Sequence, residues 1–222
     1  MSNGINVKKR NGRGVEPLQL DKIHKMVEQA CDGIAGVSAS QVEINSGIQF
    51  YDGITTSEIQ EILIKSASDL IDLDNPNYQF VAARLLLFQL RKSLYGRMQE
   101  MPSLEEHITK LAYEDLYDKD IFDKYSLEEI HKVETFLDHD RDYKFTYAGL
   151  RQVVDKYLVQ DRSTGEVYET PQFMYIMIAL TMFRNYPKET RLDYVRRYYN
   201  AISQHRINIP TPIMAGVRTP IR

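Results

Sequence analysis

Ile5-Asn-Val-Lys-Lys-Arg-Asn-Gly-Arg-Gly14, followed by Val15-Glu-Pro-Leu-Gln-Leu-Asp-Lys-Ile-His24, is the stretch on which the reading of this chain turns. Two short strand-like runs flank Asn11-Gly12, a dipeptide suited to a hairpin turn. The second run feeds directly into a segment with helical periodicity. Lys8, Lys9, Arg10 and Arg13 lie on the hairpin, and Lys22 opens the helix. Positive charge beside a helix N-terminus favours an anion, because free N–H groups and the helix dipole point there. A phosphate-bearing small molecule is the natural guest.

Helical periodicity continues outward from this point. Ile23, Met26, Val27, Ala30, Cys31 and Ile34 make one apolar stripe, with Asp21 as the expected N-cap and Gly36 as the stop. Val42, Ile44 and Ile48 suggest a short second helix before Asp52-Gly53. Thr55-Thr-Ser-Glu58 is a capping-box pattern and starts a third helix, expected to run to Asn75-Pro76. Tyr78 to Tyr95 is a fourth, ending at Gly96. Ser103 to Glu106 and Ser126 to Glu129 are further capping boxes. Tyr147 to Tyr157 reads as helix, and Arg162 to Glu166 as a turn between extended pieces. Thr170-Pro171 opens an apolar helix to Phe183. Lys188 to Gln204 is amphipathic, with Leu192, Val195, Tyr199 and Ile202 inward and Lys188, Arg191, Arg196 and Arg197 on a solvent face or against a further domain. Ile207 to Gly216 reads as a strand with no later partner, an incomplete sheet edge. The fold class is therefore mainly α: a small β-hairpin cap on four helices, then a helical region. The expected divisions are 1–96, 97–206 and 207–222.

Composition narrows the function. The 222 residues are 43% hydrophobic and 27% charged, an ordinary globular balance. A net charge of −3 argues against a general nucleic-acid binder, so the basic cluster is local. The longest apolar run, Phe173 to Phe183, is too short to cross a bilayer. One cysteine, Cys31, excludes an internal disulfide, a redox pair and a cysteine zinc site, and points to a reducing, cytoplasmic setting. Cys31 reads as a small core residue. The Gly-x-x-x-x-Gly-Lys-Ser/Thr phosphate loop does not occur. His139, between Asp138 and Asp140, reads as part of a salt-bridged helix end, with no catalytic or metal role.

Val7-Lys-Lys-Arg-Asn-Gly12, Leu20-Asp-Lys-Ile-His24, Phe50-Tyr-Asp-Gly-Ile54, Tyr78-Gln-Phe-Val-Ala-Ala-Arg84 and Leu90-Arg-Lys92 resemble the ATP-cone. That module is the allosteric domain at the N-terminus of aerobic class I ribonucleotide reductase large subunits. The likeness continues through Phe136 to Asp142, Lys156 to Val159, Thr164 to Glu166 and Ile209 to Gly216. Pro210-Thr-Pro-Ile-Met-Ala-Gly-Val-Arg-Thr-Pro220 is the most specific piece, since it introduces the family's catalytic barrel. The resemblance implies an ATP or dATP site at Val7, Lys9, Arg10, Glu16, Gln19, Lys22, Ile23, Thr56, Gln60, Phe88 and Lys92, with Mg2+ accompanying the nucleotide. Thr211 corresponds to a substrate-contacting threonine. Gln60 stands where the family often has His and Gln19 where it often has Asn, and an extra residue enters near Gly14-Val15.

The resemblance further implies partners. The family's catalytic cysteines lie beyond Arg222, and one thiol cannot reduce a ribose. The chain would be one half of a naturally split large subunit or a truncated piece of one; another polypeptide would carry the catalytic remainder, and a small metal-containing subunit would generate the radical. The assembled large subunit would be a homo-oligomer providing deoxyribonucleotides for DNA synthesis. Two alternatives stand beside this one: a free-standing nucleotide-sensing module, and an assembly piece whose cone has decayed.

Overall fold

A computed structural model describes residues 5–9, 14–96 and 98–220. The Asn11-Gly12 turn, Arg10 and Arg13 lie outside the described residues. The chain divides into two compact units. One comprises residues 1–89 and 143–151, the other residues 90–142 and 152–222.

In the first unit, β1 (Asn6–Lys8) pairs antiparallel with β2 (Val15–Pro17) and parallel with β3 (Ile54–Thr55), in the order β2-β1-β3. Val7 faces the core between Glu16 and Ile54, while Asn6 and Lys8 point outward, the alternation a half-buried strand demands. The four expected helices follow: α1 (Leu20–Cys31), α2 (Ala39–Gly47), α3 (Thr56–Asp69) and α4 (Tyr78–Tyr95). The Thr55–Glu58 capping box forms in full. Gly96 stops α4 at φ 71°, where its N–H donates to the Lys92 carbonyl.

Three boundaries differ from expectation. Helix α1 begins at Leu20 with Gln19 at the cap, because Leu18 N–H still bonds back to the Ile5 carbonyl and the chain turns immediately after. Asp21 instead sits in the first turn, where its charge suits the helix dipole. The same helix ends at Cys31, five residues before Gly36. There the Arg84 guanidinium on α4 donates to the carbonyls of Ala30 (3.3 Å) and Asp32 (2.5 Å), closing the helix by a tertiary contact. Helix α3 stops at Asp69, because the Asp72 carboxylate collects the N–H groups of Asp74 and Asn75 in a local turn.

The second unit holds α5 (Leu104–Tyr113), α6 (Asp120–Lys124), α7 (Leu127–Glu134), a 3-10 helix (His139–Lys144, of which residues 143 and 144 belong to the first unit), α9 (Pro171–Phe183), α10 (Lys188–Ser203) and α11 (Thr211–Gly216). Helix α8 (Tyr147–Lys156) runs from the first unit into the second, as α4 does. Helix α9 is buried on every face from Pro171 to Leu180 and packs against α10 through Val195, Tyr199 and Ile202. The capping boxes at Ser103 and Ser126 both form. Gln160 and Val167 bridge across the turn at 162–166. We expect Ser126→Ala to cost about 1 kcal/mol, a fall of about 3 °C in unfolding temperature followed by circular dichroism.

Two expectations fail here. Arg191 is buried, not on a solvent face: it makes two hydrogen bonds to Glu129 (2.7 and 2.5 Å) and lies 4.3 Å above the Tyr125 ring. Lys188, Arg196 and Arg197 remain exposed. The expected terminal strand is replaced by α11. Pro210 takes the cap position and Pro212 the first turn, where a missing N–H costs nothing. Arg218, itself fully buried, then fastens the segment, donating to the Met214 and Tyr157 carbonyls and pairing with the equally buried Glu169.

Asp138 to Asp142 is the salt-bridged turn that was expected. Arg141 pairs with Asp138 (3.3 Å), and Asp142 is buried against Arg91 and the Gln172 amide. The His139 ring itself is buried edge-on to Phe173.

Candidate nucleotide-binding site

Strand register decides which of the candidate residues meet. Val7 on β1 stands opposite Glu16 on β2 and beside Ile54 on β3. Lys8 stands beside Thr55, whose side chain caps α3, so Thr56 opens that helix at the same end of the sheet. Helix α1 starts three residues after β2, which brings Gln19, Lys22 and Ile23 to the hairpin's side. Val7 and Ile23 are buried, whereas Lys9, Gln19 and Lys22 are exposed.

Charge at this end of the sheet is organised around carboxylates. Lys9 Nζ pairs with Glu16 Oε2 at 2.9 Å. The Lys9 hydrogen bond, with the charges of Lys9 and Lys22 behind it, holds the Glu16 carboxyl below the ordinary range. Asp52 accepts from the Asn6 N–H (2.8 Å) and the Asn6 amide (3.0 Å), and these bonds also lower its pKa, with Lys8 adding to the effect. Glu58 is lowered by the Thr55 hydroxyl and N–H, then by Tyr51. Gly53, at φ 84°, donates to the Asn6 carbonyl and turns the chain into β3.

Gln60, one turn into α3, is buried, and its amide donates to the Leu85 carbonyl of α4 at 2.9 Å. Phe88 follows on α4, buried and edge-on to Tyr143 at 6.3 Å between ring centroids. Lys92 stands a turn beyond Phe88 on the same helix and is exposed. It falls in the second unit. Thr211 is the exposed first residue of α11, its hydroxyl 3.5 Å from that of Tyr157. Arg10 lies outside the described residues. The β3 contribution was missed in the sequence, because a parallel partner 47 residues away leaves no local signature beyond the Thr55 capping box.

This arrangement can hold an anion against the exposed ammonium groups of Lys9 and Lys22. Among the described residues no group of three or more His, Cys, Asp or Glu side chains is placed to hold a metal ion. Nor is any described helix long and apolar enough to cross a membrane. Cys31 is half-buried, and burial pushes its thiol up to about 11.

Comparison with known proteins agrees with this organisation. Residues 5–93 match the ATP cone domain, and residues 143–222 match the ribonucleotide reductase all-alpha domain. Over all 222 residues the chain is 51% identical to ribonucleoside-diphosphate reductase 1 subunit alpha of Escherichia coli, covering 29% of that protein. It is 50% identical over the same span to the alpha subunit of Haemophilus influenzae, again covering 29%. The alpha subunit of Enterobacteria phage T4 is 43% identical over 98% of this chain and 28% of its own length. The chain thus spans under a third of the length of these relatives. An ATP cone domain followed by the ribonucleotide reductase all-alpha domain, with half the residues shared along its whole length, makes this chain similar to the N-terminal 29% of these alpha subunits.

Proposed function

We propose that this chain is the activity-sensing and lead-in region of a ribonucleoside-diphosphate reductase large subunit, and that its first unit binds ATP or dATP. The observation that carries this reading is the gathering of Lys9, Glu16 and Lys22 where the sheet meets the N-terminus of α1. Lys9 and Lys22 would take the phosphates, together with Arg10 and Lys92. Val7, Ile23 and Phe88 would line the purine, and Glu16, Gln19, Thr56 and Gln60 would supply polar contacts. Magnesium would arrive on the phosphates, since the nearby carboxylates Asp52 and Glu58 are already engaged by Asn6, Thr55 and Tyr51.

In this reading residues 1–96 are the sensing domain, 97–206 the helical domain and 207–222 the approach to the catalytic barrel. Thr211 would touch the substrate phosphate once that barrel is complete. The catalytic cysteines, carried by a further stretch of polypeptide, would reduce the ribose, and a small metal-containing subunit would supply the radical. The assembled large subunit would be a cytoplasmic homo-oligomer.

Calorimetric titration with ATP and dATP tests the reading. Lys9→Glu with Lys22→Glu should weaken binding by about 100-fold or more, since two charge-assisted contacts become repulsive. Both side chains are exposed, so the circular dichroism spectrum should not change. Undiminished binding in the double variant would remove the site from this end of the sheet.

A further inference from the structure

The first unit is built from two separate stretches of chain, and the later one reaches a candidate nucleotide residue. Residues 143–151 pack with residues 1–89, although residues 90–142 of the second unit intervene. They lie outside the span that matches the ATP cone. The sequence explains how the later stretch is held. Phe145 and Leu150 are buried. Between them the Thr146 hydroxyl accepts from the Gly149 N–H (3.2 Å) and the Thr146 carbonyl from the Leu150 N–H (2.9 Å), so α8 starts from a capped, fixed point. Tyr143 stands just ahead of that point and is half-buried.

The Tyr143 ring lies on one ridge of α4. Arg84 and Phe88 are four residues apart and share a face of that helix. The Arg84 guanidinium carbon is 5.6 Å from the Tyr143 ring centroid, and the Phe88 ring meets Tyr143 edge-on at 6.3 Å and 73°. Both distances are attractive for their kind of pair. Arg84 also donates to the Ala30 and Asp32 carbonyls that end α1, the helix whose first turn carries Lys22 and Ile23. One ring from the later stretch thus touches a candidate purine contact and the clasp on α1.

A phenylalanine side chain has three staggered wells at χ1. A ring confined by a second ring occupies one of them before a ligand arrives. Without that partner, binding itself has to confine the ring, which weakens an affinity by about two- to ten-fold. We propose that Tyr143 is a positioning residue of the nucleotide site: it holds Phe88 ready for the purine, and a stretch outside the cone span completes the sensor. This rests on the reading that the first unit binds ATP or dATP.

Calorimetric titration of the full chain with ATP tests it. The parent is compared with Tyr143→Ala, Tyr143→Phe, Phe88→Ala and the double variant Tyr143→Ala, Phe88→Ala. Tyr143→Ala should weaken binding about five-fold, whereas Tyr143→Phe, which keeps the ring, should stay within about two-fold of the parent. In the Phe88→Ala background, Tyr143→Ala should add less than about two-fold, because the two side chains act as one unit. A tyrosine that merely packs would lower the unfolding temperature and leave the affinity alone. Parent-like affinity in Tyr143→Ala overturns the proposal, and so does a loss that recurs in full without Phe88.

Should Tyr143→Ala fail to fold, as circular dichroism would show, Tyr143→Trp decides instead. The chain contains no tryptophan, so its emission reports this position alone. Saturating ATP should shift that emission, while the emission of Tyr113→Trp, at a position 86% exposed in the second unit, stays constant. An unshifted emission overturns the proposal. A parent that binds ATP, and loses it on Lys9→Glu with Lys22→Glu, keeps the functional reading even when the Tyr143 variants strike the proposal. A parent that ignores both ATP and dATP strikes the two together.

Discussion

Replacing Glu169 with Ala should lower the unfolding temperature of the chain by about 10 °C, the largest effect expected of any single substitution in the second unit. Glu169 is fully buried and accepts from the Arg218 guanidinium (3.1 Å from Nε), the Val159 N–H (2.7 Å) and the Tyr117 hydroxyl. Arg218 is equally buried, so truncation of Glu169 leaves a guanidinium, a phenol and an amide in a dry interior. Breaking one side of such a pair costs about 3–5 kcal/mol, because the remaining charge stays desolvated. Removing both charges in Glu169→Leu with Arg218→Met should recover much of the loss, since the desolvation cost disappears together with the attraction. Scanning calorimetry of the three variants decides the matter. A Glu169→Ala protein that melts within about 2 °C of the parent would show that the pair is not load-sharing in this way.

Lowering the pH from 7 to 5 should cost the chain about 3 kcal/mol of stability, measured as the shift in urea midpoint multiplied by the slope. The cause is a pair of imidazoles on the Phe173 ring. His107 stacks on it at 3.8 Å, and His139 meets it edge-on at 4.8 Å. Tyr117 donates to Glu169, so its oxygen accepts from His107 Nε2 (3.0 Å), which fixes His107 as the neutral Nε2–H tautomer. Burial, aided by the charges of His139, Lys110 and Arg218, pushes His107 down to about 3. Burial, then Arg91, pushes His139 down to about 4 against the opposing pull of Asp138.

A histidine with a depressed folded pKa contributes its full stability above the unfolded value of 6.5 and loses it as the pH falls from there toward the folded value. At pH 5 each ring has lost about 2 kcal/mol. Asp142 acts in the opposite direction. Burial raises it to about 6 against the pull of Arg91 and Gln172, so protonation below that pH returns about 1 kcal/mol. His24, raised by its bond to Glu43, is exposed and adds only a small term of the same sign as Asp142. The lowered carboxylates Glu16, Asp52 and Glu58 titrate below this window. A His107→Gln, His139→Asn protein should show a flatter profile between pH 7 and 5. An unchanged slope would exclude the two rings as its cause.

What the sequence disclosed and what it withheld divide along contact range. The capping boxes at Thr55, Ser103 and Ser126, the Gly96 stop and the Thr170-Pro171 start are written within four residues of where they act, and each forms as read. Most of the misjudged elements were decided from a distance, the end of α3 at the local Asp72 turn being the exception. Arg84 ends α1 from 52 residues away, and Glu129 draws Arg191 out of a solvent face from 62 residues away. Glu169 holds the segment bearing α11 from 49 residues away. Local pattern at Ile207 to Gly216 is compatible with either strand or helix, and the two prolines tip it toward a helix start. At the candidate site the cationic residues were legible because hairpin and helix are adjacent in sequence. The pairing of Lys9 with Glu16 was not, since it depends on strand register.

The position of β1 between β2 and β3 bears on how the chain acquires its shape. The first strand to leave the ribosome is the middle one of the sheet, and one of its neighbours is not made until residue 55. Closing that parallel pair encloses a loop of some fifty residues, an entropic cost that α1 and α2 can lower by condensing first. The sheet is therefore expected to be among the last features of its unit to become ordered during synthesis, although its middle strand is translated before the helices of that unit.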